Sequence, residues 1–265
     1  AERKNMRDHT KHMSKSMKLL ADDFVFPKAI PEEPYVKLPG GKDLESWSDQ
    51  DMWLAIHARR QTEKYRFFLD AMDYLKENNV SGDYHEYGCH RARTFRMALS
   101  SACLFKMKNM EFYAFDSFEG LPEPTTNPDC AAWKKGSFAT STAVFEDLMK
   151  QHSLFPDKIH LVKGFYEKSL NSNLIDEFRS HHRRVALANI DCDLYESAVP
   201  VFRFLENFLQ VGTLIYIDDY FSGYKEAPHK GVAAALNEHF GKSGFQIIEF
   251  MRVGWWGKAF LVYGS

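Results

Sequence analysis

The sequence predicts an α/β protein with a seven-stranded, mostly parallel sheet, helices on both faces and an N-terminal helical extension. Three observations lead there. Beyond Gly82, short apolar runs alternate with stretches of helical periodicity, the pattern of a doubly wound sheet. Four of the first five runs end on or beside an acid, as strands do when their carboxyl ends frame a site. The last two runs are joined through "MRVGWWG" with no helix between them, so a hairpin and an antiparallel final strand make the sheet mixed.

The elements follow in order. Residues 1–20 ("AERKNMRDHTKHMSKSMKLL") are basic and weakly amphipathic, which reads either as a solvated helical arm or as a contact in a homo-oligomer. Pro27, Pro31, Pro34 and Pro39 rule out regular helix over residues 24–41, an extended connector. Ser48 suits the N-cap of a long helix in which Tyr65, Phe68, Leu69, Met72 and Leu75 recur at helical spacing. The change of pattern assigns residues 1–80 to an arm and a helical lid or oligomerisation segment, and residues 81–265 to the sheet domain. Strands are expected at 84–87, 111–115, 158–162, 185–190, 213–217, 245–250 and 258–263. Helices are expected at 92–106, 141–152, 170–180, 197–209 and 230–240.

Composition narrows the function classes. With 34 basic against 36 acidic residues the chain lacks the basic surplus of a nucleic-acid binder. No apolar run reaches the roughly 18 to 20 residues of a membrane span, and no secretory pattern opens the sequence. Cys89, Cys103, Cys130 and Cys192 form no C-x-x-C pair, as expected of a reducing cytoplasm. The chain opens on Ala rather than Met, as a trimmed chain or a domain of a longer polypeptide would.

The strand ends carry the chemistry. They read "HEYGCHR", "FDSFEG", "VKGFYEKSL", "IDCDLYES" and "IDDYFSGY". Asp116, closing the second strand, can accept both hydroxyls of a ribose; the competing reading makes it a cap of the next helix. Glu86 and Gly88 offer a carboxylate and a bare backbone that a ligand can approach closely. A single glycine followed by Cys89, His90, Arg91 and Ala92 is no pyrophosphate fingerprint, so a cofactor without phosphate, S-adenosylmethionine, fits better. Asp191, Asp218 and Asp219 come from neighbouring strands and would repel one another without a cation or shared protons, and their hard oxygens suit magnesium or calcium. If strand alternation persists, Asp191 and Asp193 share a side, which leaves Asp193 for a second role such as general base. The competing readings are a helix cap for Asp193 and a turn for Asp219.

"EYGCHR", "YAFDSFEGLP", "VKGFYEKSL", "NIDCDLYESA" and "IYIDDYFSGY", in this order over roughly residues 80–265, resemble the macrocin O-methyltransferase (TylF/MycF) family. The resemblance implies a Rossmann-like class I methyltransferase fold and a magnesium- and S-adenosylmethionine-dependent O-methylation of sugar hydroxyls. It implies metal binding by Asp191, Asp218 and Asp219, and Asp193 as general base. It further implies that Asp116, with Ser117 beside it, holds the cofactor ribose, that Glu86 and Gly88 lie near its methionine portion, and Gly164 and Phe165 near the adenine. The family continues its first loop with a glycine pair after the arginine, whereas here Arg91 is followed by Ala92 and Arg93. The segment between Pro122 and Ser141, expected to cover the substrate, has no residue-level match.

The expected reaction is deprotonation of a sugar hydroxyl by Asp193 and in-line methyl transfer, on a small sugar-bearing substrate and with no nucleic-acid or membrane partner. Rival readings are a catechol-type methyltransferase, a glycosyltransferase or aspartyl phosphatase built on the "DCD" triplet, and a non-catalytic binding module.

Overall fold

The computed structural model describes residues 41–264, so the basic arm and the connector up to residue 40 lie outside the described residues. The chain divides into a unit of Ala1–Lys64 and a unit of Tyr65–Ser265. The change of sequence pattern marks residue 80 instead, because the helix that crosses the division runs on to Glu77.

In the first unit a short helix, α1 (Gly41–Glu45), precedes the start of α2 (Asp49–Glu77). Ser48 caps α2 reciprocally: its hydroxyl accepts from the Asp51 N–H (3.2 Å), and the Asp51 carboxylate accepts from the Ser48 N–H (3.0 Å).

The second unit holds the sheet. Its strands are β1 (Asp83–Tyr87), β2 (Phe112–Asp116), β3 (Ile159–Lys163), β4 (Val185–Ile190), β5 (Leu214–Ile217), β6 (Gln246–Val253) and β7 (Gly257–Gly264). They lie in the order β3-β2-β1-β4-β5-β7-β6. The first five are parallel, and β7 runs antiparallel to β5 and β6, the mixed sheet the hairpin predicts. Every residue of β1, β4 and β5 is buried, as expected of parallel strands covered on both faces. The helices are α3 (Arg93–Leu104), α4 (Thr142–His152), α5 (Tyr166–Ser169), α6 (Ser172–Ser180), α7 (Tyr195–Leu205) and α8 (Gly231–Phe240).

Strand alternation sends successive side chains to opposite layers. On one face, the end of α2 buries Phe67, Phe68, Ala71, Met72 and Leu75, with the Phe68 ring 6.1 Å from Tyr84 of β1 and Phe67 4.6 Å from Tyr216 of β5. On the other, Phe178 of α6 and Phe204 of α7 pack on Phe115 of β2. Each buried aromatic is worth about 1.5–3 kcal/mol of transfer free energy, so both faces hold the sheet in place. The strand order reverses between β1 and β4, which sets a topological switch point at their carboxyl ends. Among the described residues no helix is long and apolar enough to cross a membrane.

Candidate active site

The strand ends lie side by side. The Gly88 N–H donates to the Phe115 carbonyl (3.0 Å), Asp191 N–H to Tyr87 (2.9 Å) and Asp218 N–H to Ile190 (3.0 Å). At Gly88 (φ 91°) a Cβ would stand 1.8 Å from the Asp191 carbonyl oxygen, so no side chain fits where β1 and β4 close together.

One carboxylate oxygen from each of Asp191, Asp193 and Asp219 falls within 4.8 Å of the others, and all three residues are half-buried. This trio differs from the expected Asp191, Asp218 and Asp219. Asp218 is buried, and its Oδ1 accepts from the Tyr216 hydroxyl and from the Trp256 indole N–H (3.2 Å). Asp193 reaches the trio by a turn rather than by strand alternation. β4 stops at Ile190, the Leu194 N–H donates to the Cys192 carbonyl (2.6 Å), and Asp193 takes φ 62°, a left-handed conformation that Asp tolerates better than most residues. The N-cap position of α7 is held by Leu194 rather than Asp193.

Asp116 organises backbone. Its Oδ2 accepts from the N–H groups of Cys89 (2.7 Å) and His90 (3.3 Å), and its Oδ1 from Phe118 N–H (2.7 Å). It caps no helix either, because α4 starts at Thr142 on its own Ser141 cap. Ser117 donates to the Gly120 carbonyl (2.7 Å) and accepts from Glu119 N–H (3.0 Å), shaping the same turn. Gly164 (φ 138°) donates its N–H to the Asp116 carbonyl (2.9 Å), and Phe165 opens α5, so the ends of β2 and β3 meet. Ala92, where the family pattern carries glycine, takes φ 53° at the N-cap of α3, a conformation that costs an L-residue roughly 1 kcal/mol.

Glu86 lies beneath this surface. It is fully buried, accepts from Thr94 Oγ1 (2.8 Å) and from the Tyr84 hydroxyl, and faces Asn189 of β4 across the pairing. Burial pushes its pKa up to about 8, against the pull of the hydroxyl donors Tyr84 and Thr94.

Above the acids two loops are fastened together. Glu196, in the first turn of α7, accepts from Thr125 N–H and from Thr126 Oγ1 (3.2 Å), and Thr126 Oγ1 lies 2.9 Å from the Tyr224 hydroxyl. The Asp129 N–H donates to the Gly223 carbonyl (2.8 Å), and Asp129 Oδ2 accepts from Lys225 N–H (2.7 Å). Trp133 packs edge-on against Tyr224 (5.8 Å), and a Cβ at Gly223 would meet Trp133 at 1.9 Å. Burial raises the Tyr224 pKa, and the charges of Glu196, Asp193 and Asp219 push the same way, which sets this ring near the trio. Sequence reasoning assigned no residue here. The available signals were Asp129 after a proline, the lone Trp133, and a glycine beside Tyr224. A separate groove of about 230 Å³ lies between α7 and α8, where Tyr195 donates to Glu238 (2.8 Å) and His239 lies 3.2 Å from Glu206.

Comparison with known proteins agrees with this fold. The family model for macrocin-O-methyltransferase (TylF) matches residues 46–251. The O-methyltransferase NovP superposes with a TM-score of 0.61 at 19% identity, over 77% of this chain and 80% of that one. The calicheamicin methyltransferase CalS11 gives a TM-score of 0.61 at 17% identity, over 97% and 93%. No curated protein matches the chain. The chain belongs to the macrocin O-methyltransferase family and is an S-adenosylmethionine-dependent O-methyltransferase.

Proposed function

We propose that this enzyme methylates a hydroxyl of a sugar or glycosylated natural product, with magnesium at the acidic centre. The observation that carries the reading is the trio of Asp191, Asp193 and Asp219, gathered at the switch point beside the end of β1. The similarly folded CalS11 is described as a TDP-rhamnose 3'-O-methyltransferase, which supports a sugar as acceptor. Family membership sets aside the glycosyltransferase, phosphatase and binding-module readings. The four cysteines are free, in keeping with a cytoplasmic enzyme.

The residues present fit both groups. All-oxygen donors within 4.8 Å suit a hard cation, and three converging carboxylates need positive charge. Asp191 and Asp219 would hold the metal, with Asp218 as third ligand by family resemblance or Asp193 by proximity. Asp116 keeps acceptor capacity for a ribose hydroxyl, because its three N–H donors use three of about four lone-pair positions. By family resemblance Gly88, where the end of β1 closes on Asp191, would lie near the methionine portion, and Gly164 and Phe165 would border the adenine. Glu86 would act from below, through the backbone it shares with Gly88.

S-adenosylmethionine supplies an electrophilic methyl group, and a bound divalent cation supplies Lewis acidity that lowers the pKa of an acceptor hydroxyl. Asp193 then removes the hydroxyl proton. The loops fastened by Glu196, Thr126 and Tyr224 shield the reacting atoms from water and orient the acceptor. Asp193→Asn tests the assignment. It should keep S-adenosylmethionine affinity by calorimetry and lose about 100-fold or more in turnover. Near-parental turnover removes Asp193 from the mechanism, and loss of cation affinity in the variant makes it a ligand instead of the base. Assays on a panel of sugars and aromatic diols decide the acceptor class, and preference for the diols overturns the sugar reading.

A further inference from the structure

The β6–β7 hairpin lies outside the reading above, yet it grips the loop that carries Asp218 and Asp219. Trp256, in the hairpin turn, donates its indole N–H to Asp218 Oδ1 (3.2 Å), and its carbonyl accepts from Phe221 N–H (2.9 Å). Lys258 at the start of β7 places its ammonium 4.5 Å from the Tyr220 ring centroid and 5.3 Å from that of Phe221. Gly257 must be bare: a Cβ there would stand 2.9 Å from the Tyr216 hydroxyl and 3.2 Å from the Asp218 carbonyl oxygen. Gly254 (φ 58°) leaves room for the Trp256 ring, which a Cβ would meet at 2.1 Å.

We infer that Tyr216 and Trp256 are positioning residues of the acidic centre, fixing through Asp218 the orientation in which the Asp218–Asp219 pair meets a divalent cation. The inference rests on the proposed reading of that centre as a cation site. A phenol hydroxyl can donate to a carboxylate, and an indole N–H donates and cannot accept. Two such donors on one oxygen fix the carboxylate's rotation, so Asp218 Oδ1 is committed to the hairpin side. Asp219 follows directly in the chain, so the clamp on Asp218 also sets the start of the turn that carries Asp219 to Asp191 and Asp193. Outer donors of this kind typically change metal affinity by about 10- to 100-fold when removed.

The test is titration of the unliganded full chain with Mn²⁺ alone, following free Mn²⁺ by electron paramagnetic resonance, for the parent, Tyr216→Phe, Trp256→Phe and Asp218→Asn. Tyr216→Phe and Trp256→Phe should each bind Mn²⁺ roughly ten- to hundred-fold more weakly than the parent. In an Asp218→Asn background, Tyr216→Phe should change affinity by less than about twofold, because its route of action is gone. Thermal melting of each variant establishes folding. Tyr216→Phe removes a single oxygen, so it decides the matter if Trp256→Phe does not fold. Failure of the parent to bind Mn²⁺ overturns the cation reading and this inference together. Parental affinity in a folded Tyr216→Phe, or an undiminished Tyr216→Phe effect without Asp218, overturns this inference alone.

Discussion

Replacing Glu86 by Gln should flatten the alkaline side of the stability profile. Glu86 is fully buried, and burial lifts its pKa from the ordinary 4.5 to about 8. Between those values the folded chain holds a proton that the unfolded chain releases, so stability is complete below pH 4.5 and falls as pH rises through 8. A gap of about 3.5 pH units corresponds to roughly 5 kcal/mol of preference for the protonated form. Most of that preference has gone by pH 8, and about 2 kcal/mol of it goes between pH 6.5 and 8. In a domain of about 200 residues this lowers the melting midpoint by roughly 4 to 8 °C.

Gln matches a protonated Glu in shape: Tyr84 and Thr94 sit on different carboxylate oxygens, so its carbonyl can accept from one hydroxyl while its amide donates to the oxygen of the other, as the protonated acid does. The assay is scanning calorimetry of parent and Glu86→Gln at pH 6.5 and 8 without ligands, read as the difference between the two proteins. Every other titrating group is common to both and cancels. The parent should lose roughly 4 to 8 °C more than the variant across that interval. Parallel profiles refute the reasoning, because they mean that the hydroxyl donors outweigh burial and Glu86 is already ionised at pH 6.5.

Two further outcomes are expected. Gly88→Ala should lower the melting midpoint by about 10 °C or more or leave the chain insoluble, since its Cβ would strike the Asp191 carbonyl at 1.8 Å in a backbone conformation that strains L-residues by about 1–3 kcal/mol; an unchanged calorimetric midpoint contradicts the close approach. His85 is fully buried, burial depresses its pKa to about 3, and its Nδ1 lies 3.1 Å from the Tyr87 hydroxyl, so its contribution is complete above pH 6.5 and lost as pH falls from there toward 3. His85→Leu should therefore show a shallower acid limb than the parent in melts between pH 6.5 and 4.5, and coincident acid limbs count against a buried neutral imidazole.

The sheet was legible because each strand is a short apolar run between helical stretches, and period alone separates the two. Val185–Ile190 matches its expected range in full. β6 runs on to Val253 because a register shift between Glu249 and Met251 breaks the alternation that would have marked its end. The strand-end acids were legible too, since position at the carboxyl edge follows from topology. The direction of each carboxylate was not. Asp218 turns toward a tryptophan 38 positions away, and the Thr126–Tyr224 pair spans 98, contacts that no local pattern encodes. Asp193 departs from alternation because the strand has already ended, and only the turn after it brings its carboxylate back.

The acids at these strand ends meet one physical problem in different ways, and the differences separate their roles. A carboxylate taken out of water must be neutralised, hydrogen-bonded or paired. Glu86 is driven toward its protonated form by burial. Asp116 is satisfied by three backbone N–H groups from the loops after β1 and β2, which makes it the knot between those two strand ends. Asp218 is satisfied by a phenol and an indole, which makes it the knot between β5 and the hairpin. Asp191, Asp193 and Asp219 are half-buried, as Asp116 is, and differ from all of these in lying within 4.8 Å of one another, an arrangement whose mutual repulsion an added cation relieves. Substitution at Glu86 or Asp116 should therefore register first in stability and cofactor affinity, whereas substitution within the trio should register first in cation affinity and turnover. In the proposed mechanism the two knots hold still the frame in which Asp193 moves a proton.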